Sequence, residues 1–124
     1  MKTKIESKSA PAAIGPYSQG TLAGSMAFIS GMLGIDPATG ELKEGVEAQA
    51  EQALLNLEAV LAEAELTTVS VVKTTVFLTD IGDFAKINAI YNKHFSAPYP
   101  ARSCVQVGAL PKGGLFEIEA IAVR

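Results

Sequence analysis

Two stretches of this chain are apolar on both sides at once, and that restricts its fold more than any other feature. In residues 70–79, SVVKTTVFLT, one alternating set is Val71, Lys73, Thr75 and Phe77 and the other is Val72, Thr74, Val76 and Leu78. Neither set makes a solvent face. Near the C-terminus Ile118, Ala120 and Ala122 alternate with Glu119, Ile121 and Val123, again with apolar side chains in both sets. Such β-branched runs suit the interior strands of a sheet, and a sheet made of them has two faces to bury. The rest of the chain predicts two helices, which cover one face. The second face is left to another copy of the same chain.

The helices are read from a change of period. In residues 46–64, Val46, Ala50, Ala53, Leu54, Leu57, Val60, Leu61 and Ala64 fall on one helical stripe, and the glutamates lie mostly elsewhere. A second helix is predicted from Phe84 to about Phe95, with Asp83 as its N-cap, and Pro98 and Pro100 bar its continuation. Residues 2–7 alternate weakly as a strand, and Pro11 and Pro16 make 10–17 a loop. Short strands are expected over 18–23 and 26–35, joined by a turn at Gly24-Ser25, and a further turn follows at 36–40. Two strands at the C-terminus, joined by Leu-Pro-Lys-Gly-Gly, open with Arg102 and Glu117. The order is β-β-β-α-β-α-β-β, an α+β pattern with a mixed sheet. No repeat or linker divides the chain, so residues 1–124 are expected to form a single domain.

Composition narrows the partners. Of 124 residues 48% are hydrophobic, enough for one packed core. The formal net charge is −3 and no basic run appears, so nucleic acid is not an expected partner. The longest apolar runs are too short to span a bilayer, so no membrane partner is expected, and MKTKIESKSAPAA lacks an apolar signal core. The single cysteine, Cys104, cannot make an internal disulfide, which points to a cytoplasmic protein.

The residues that could do chemistry cluster near the C-terminus. The planar fork of Arg102 fits a carboxylate, and Glu117 can hold or deprotonate a water. Together they make a minimal hydrolytic site; the plainer alternative is an ion pair on a sheet. Period two places Arg102, Cys104 and Gln106 on one face and Ser103, Val105 and Val107 on the other. The apolar set is expected to meet the helices and the Arg-Cys-Gln set a subunit interface, with Glu117 or Glu119 as the protein's own candidate partner for Arg102. Cys104 is a candidate nucleophile only if His94 reaches it; otherwise it is a packing residue. Tyr17, in its loop, is either a core residue or a pocket wall. Gly31, after Ser30, marks a close approach or a bulge. Asn88, inside the second helix, is expected to face solvent. One histidine and one cysteine disfavour a metal centre, and neither a phosphate-binding loop nor a dinucleotide fingerprint is present.

Four segments together, APAAIGPYSQG, the Ile-Ser-Gly of 29–31, VVKTTVFLTDIGDFAKINAIY and PARSCVQVGALPKGGLFEIEAIAVR, resemble the RidA family, also called the YjgF family. The likeness runs from about Ala10 to Arg124. It implies a fold like that of small chorismate mutases, a six-stranded mixed sheet with two helices on one face, assembled as a homotrimer with ligand sites between subunits. It implies hydrolysis of reactive enamines and imines, such as 2-aminoacrylate, 2-iminopropanoate and 2-iminobutyrate, to 2-ketoacids and ammonia, without cofactor. By position, Arg102 matches the family arginine that grips the substrate carboxylate, and Glu117 the glutamate that positions water. Tyr17, Ser30, Gly31, Asn88 and Cys104 match other pocket positions. Met32 and the Gly113-Gly114 turn depart from the family pattern in ways expected to alter the cleft rim. Two other classes stay open on the same trimer, a non-catalytic 2-ketoacid-binding regulator and an endoribonuclease.

Overall fold

The computed structural model describes all residues from Met1 to Arg124. The chain runs through strands β1 (Lys2–Ile5), β2 (Gly20–Ala23) and β3 (Met26–Leu33), helix α1 (Val46–Glu63), β4 (Val71–Leu78), helix α2 (Phe84–His94), β5 (Ala101–Gln106) and β6 (Phe116–Val123). The expected order of elements is therefore observed. The strands form one six-stranded sheet in the order β1-β2-β3-β6-β4-β5. Every pairing is antiparallel except β4 with β5, which is parallel and joined through α2, since parallel neighbours need a crossover longer than a hairpin. Both helices lie on one face, giving the α+β architecture implied by the resemblance.

All eight residues of the predicted α1 stripe are buried, because a 3.6-residue period brings them to one side of the helix. Gly45 precedes them with φ 84, a left-handed conformation that favours glycine. Two polar residues on the same side, Gln49 and Asn56, are buried as well and answer backbone groups that would otherwise be orphaned. Asn56 Nδ2 donates to the carbonyls of Leu33 and Ile35, and Gln49 joins Lys43 to Leu115. These bonds tie the end of β3 and the start of β6 to the helix layer.

The second face of the sheet is open in the single chain. Met26, Phe28, Val105 and Val123 stand on it with between 37% and 43% of their surface exposed. A bulge between Val71 and Lys73 moves Val71 to the buried side, so Thr74, Val76 and Leu78 face the helices while Thr75 and Phe77 face outward. No helix is long and apolar enough to cross a membrane.

Two local expectations differ. Asp83 precedes α2 but makes no capping hydrogen bond. Asp80, three residues earlier, accepts from the Gly82 amide and starts a short 3₁₀ turn that feeds the helix. His94 does more than sit near a helix end. Its Nε2 lies 2.9 Å from Glu51 and its Nδ1 3.2 Å from Glu58, which clasps α2 to α1. His94→Ala leaves two glutamates facing each other without a partner. It is expected to cost about 1 kcal/mol, reduced by the partial exposure of both carboxylates, and to appear as a lower urea midpoint at unchanged slope and fixed protein concentration.

Candidate active site

The centre of the site is a stripe on α2. Phe84, Asn88 and Tyr91 are spaced i, i+4, i+7 and so project from one side of the helix. All three meet the half-buried Arg102 of β5. Its Nη1 donates to Asn88 Oδ1 at 2.8 Å, and its guanidinium carbon lies 4.7 Å from the Tyr91 ring centroid and 5.2 Å from that of Phe84. Arginine suits such a place because its planar cation stacks on ring faces while its edge still donates. No carboxylate lies within ion-pair distance of Arg102. Asn88, Tyr91, Asn92, Tyr99 and Arg102 line an open depression of about 650 Å³.

The expected facing of β5 is reversed. Parallel register sets Arg102 beside Thr74 and Cys104 beside Val76, both of which are buried beneath the helices. The Arg-Cys-Gln set is thus on the helix side, and Ser103 and Val105 are on the open side. The physical reason is that β5 is an edge strand overhung by α2. The aromatic and amide stripe of that helix receives a guanidinium, while the exposed Val105 adds to the uncovered apolar face. Asn88 accordingly points to Arg102, not to solvent.

Glu117 and Glu119 are not neighbours of β5 either, because β4 lies between β6 and β5. Glu117 pairs in register with Phe77, and side chains alternate across a strand. Glu117 therefore emerges on the open face, opposite to Arg102. The ion pair considered as the plainer alternative cannot form within one subunit.

Around Glu117 the backbone makes room. A Cβ at Gly31 would sit 2.5 Å from Oε2 of Glu117, so only glycine permits the carboxylate to lie against β3. The ladder between β3 and β6 is irregular over the same residues, between Ile29 and Met32; bulge and close approach are one feature. Ser30 Oγ donates to the Ser18 carbonyl at 2.6 Å and its amide to the Gln19 carbonyl, which holds the Tyr17 loop beside Gly31. Gln19, buried, bonds to Ser7 and Pro11 and fixes that loop from behind. Tyr17 is more than half exposed, so it is not a core residue. Burial pushes the Glu117 carboxyl above the usual carboxylate range, and the like charge of Glu119 adds to the rise.

Burial also pushes the Cys104 thiol up, an effect that Arg102 opposes in part. A raised thiol is a poor nucleophile at neutral pH, and both ring nitrogens of His94 are occupied by Glu51 and Glu58. The cysteine–histidine pair is not assembled. Met32 is buried against Ile118; it belongs to the core and not to a cleft rim. Among residues not singled out from the sequence, Phe84, Tyr91 and Thr74 build the arginine half of the site, and the i, i+4, i+7 spacing was the available signal. No three His, Cys, Asp or Glu side chains converge as a metal site.

The candidate residues thus fall into two clusters on opposite faces of the sheet: Arg102 with Asn88 and Cys104, and Glu117 with Gly31, Ser30 and the Tyr17 loop. Comparison with known proteins finds the same framework. A 2-iminobutanoate/2-iminopropanoate deaminase of Salmonella typhimurium is 51% identical over an alignment of 127 positions, covering 100% of this chain and 99% of that one. RidA from an Antarctic Psychrobacter superposes with a TM-score of 0.96 at 49% identity, covering 98% of this chain and 99% of that chain. Escherichia coli TdcF with bound serine superposes with a TM-score of 0.93 at 49% identity, covering 98% of each chain. Residues 7–124 match the family model described as endoribonuclease L-PSP, and the chain belongs to that family, among its RidA-type members.

Proposed function

We propose that this protein is an enamine/imine deaminase, which hydrolyses 2-iminobutanoate, 2-iminopropanoate and 2-aminoacrylate to 2-ketoacids and ammonia. One observation carries the reading. A half-buried guanidinium is held by two aromatic rings and an amide, yet no carboxylate of its own chain answers it. A desolvated cation without an anion is costly, and a ligand carboxylate supplies the missing charge. The name of the Salmonella relative supports the choice of an imino acid.

The two clusters define how the reaction runs. Arg102 on the helix side of one subunit and Glu117 on the open face of a neighbour would meet across an interface. The exposed apolar face that carries Met26, Phe28 and Val105 supplies the contact. A homotrimer satisfies both requirements, with Tyr17 and Ser30 on the wall of each cleft. Arg102 binds the carboxylate with two parallel hydrogen bonds and presents the C=N carbon, which 2-aminoacrylate gains on tautomerising to 2-iminopropanoate. Glu117 accepts a proton from a water as its oxygen bonds to that carbon, and the C=N electron pair moves to nitrogen. That proton then passes to nitrogen to give a carbinolamine, and the hydroxyl proton follows it to nitrogen through Glu117 as the C–N bond breaks, so that ammonia leaves and the C=O bond forms. A carboxyl raised by burial and by Glu119 is suited to accepting and returning a proton.

The deciding experiment is an assay with 2-iminobutanoate generated in situ, alongside sedimentation of the same sample. The expected result is accelerated release of 2-oxobutanoate by a trimer. A stable monomer at micromolar concentration would remove the intersubunit site. RNA cleavage that copurifies with the assembly and disappears in Arg102→Lys would replace the deaminase reading with the endoribonuclease one.

The pH dependence offers a separate check. Glu117 must be ionised to take a proton from water, so activity should fall as pH drops through its raised pKa. Glu119→Gln removes the second cause of the rise, and the acid limb of the kcat/KM profile is expected to move to lower pH. A limb that stays in place would show that another group controls it.

A further inference from the structure

Behind Arg102 lies a polar contact that the reaction above does not use. Thr74 Oγ1 and Tyr91 Oη are 2.8 Å apart, and both residues are buried. Thr74 is the register partner of Arg102 on the adjoining strand, and the Tyr91 ring is the nearer of the two under the guanidinium. Three elements are therefore closed into a circuit: β5 to α2 through cation and ring, α2 to β4 through the hydroxyl pair, and β4 to β5 through the sheet.

We propose that Tyr91, anchored by Thr74, is a positioning residue that sets the plane of the Arg102 guanidinium and so its grip on the substrate carboxylate. The proposal rests on the reading of Arg102 as the carboxylate site. One hydrogen bond, from Nη1 to Asn88, fixes a point of the guanidinium but leaves it free to turn about that bond. A ring face beneath the cation removes this freedom, because the cation prefers the centre of the face. Phe84 is the softer of the two platforms, being 38% exposed. Tyr91 is 6% exposed, stacks on Phe95 at 4.4 Å, and has its far end tied to Thr74. A ring pinned at both ends defines a plane; a ring free to rock does not. Burial raises the Tyr91 pKa, which keeps the phenol neutral and able to share a hydrogen with Thr74. The two oxygens of a carboxylate demand coplanar donors, so small tilts of the guanidinium weaken binding without disturbing the water at Glu117.

The test separates positioning from stability by means of a double variant. Tyr91→Leu removes the platform, and the dissociation constant for 2-oxobutanoate, measured by calorimetry, is expected to rise about fivefold to thirtyfold. KM for 2-iminobutanoate should rise with it, while kcat changes by about twofold or less. Tyr91→Phe keeps the ring but strands the Thr74 hydroxyl; about a threefold rise is expected, with a lower unfolding midpoint. Thr74→Val combined with Tyr91→Phe removes both polar groups, so the midpoint should recover while the weakened binding stays. Recovery of binding together with stability would reduce the pair to a structural role and overturn the proposal. So would unchanged binding in a folded Tyr91→Leu protein; if that variant does not assemble, the Phe and double variants decide. Arg102→Lys serves as the reference. If it leaves 2-oxobutanoate binding intact, the reading of the whole site falls and the positioning role with it. If it weakens binding and the Tyr91 variants do not, only the positioning role falls.

Discussion

Arg102→Lys is expected to lower kcat/KM for 2-iminobutanoate by about tenfold to a hundredfold, chiefly through KM. Lysine keeps the charge but offers no planar fork. A charge-assisted bidentate contact is worth roughly 1.5–3 kcal/mol, and each 1.4 kcal/mol is about a factor of ten. The surroundings magnify the difference, because they are built for a plane. Asn88 accepts from one Nη, and the Tyr91 and Phe84 rings lie beneath the guanidinium carbon. An ammonium could use the rings but could not present two parallel donors to the ligand. The variant should retain the wild-type sedimentation coefficient, since no ion pair within the chain is lost. Full activity in an intact assembly would place the carboxylate site elsewhere.

Glu117→Gln should lower kcat by about a hundredfold or more, in line with what positioned proton transfer contributes, while 2-oxobutanoate still binds at Arg102. Glutamine preserves the shape that fits against Gly31 but cannot accept the proton of the attacking water. Stability should move in the opposite direction. The Glu117 carboxyl is raised in the folded protein, so at pH values above that raised pKa the folded state bears the cost of a half-buried charge beside Glu119. Removing the charge is expected to leave the melting temperature at neutral pH equal or higher. A variant that is less active yet no less stable is the signature of a group kept for chemistry. Cys104→Ala is the companion measurement. With its thiol raised by burial and no histidine beside it, severalfold loss at most is expected. A dead Cys104→Ala beside an active Glu117→Gln would replace water attack by a thiolate route.

Local periodicity carried much of this structure because its elements bury complementary stripes. The eight-residue stripe of α1 is visible without coordinates, since a period of 3.6 has one interpretation for an apolar face. The two-faced strands 71–78 and 116–123 also show without coordinates that the sheet has a face the two helices cannot reach. The candidate residues Arg102, Glu117, Gly31 and Asn88 could be named from residue chemistry and from the family resemblance. Alternation along β5 likewise separates Arg102 and Cys104 from Ser103 and Val105.

Which of those two sets meets the helices is a different matter, and only the tertiary structure decided it. Period two sorts residues into sets but is symmetric between the faces. Polarity favoured Val105 inward, yet the edge position of β5 beneath the Phe84–Asn88–Tyr91 stripe gave Arg102 a place there. Strand order was equally hidden. The Leu-Pro-Lys-Gly-Gly segment joins β5 to β6 in sequence, but β4 takes the position between them, because pairing partners are chosen by long-range contact and not by the length of the connection. That insertion separates the two strands, and their registers with β4, Arg102 beside Thr74 and Glu117 beside Phe77, put the two side chains on opposite sides of one sheet. Residue chemistry alone makes them look like neighbours in one chain; the sheet sets them on different strands and different faces.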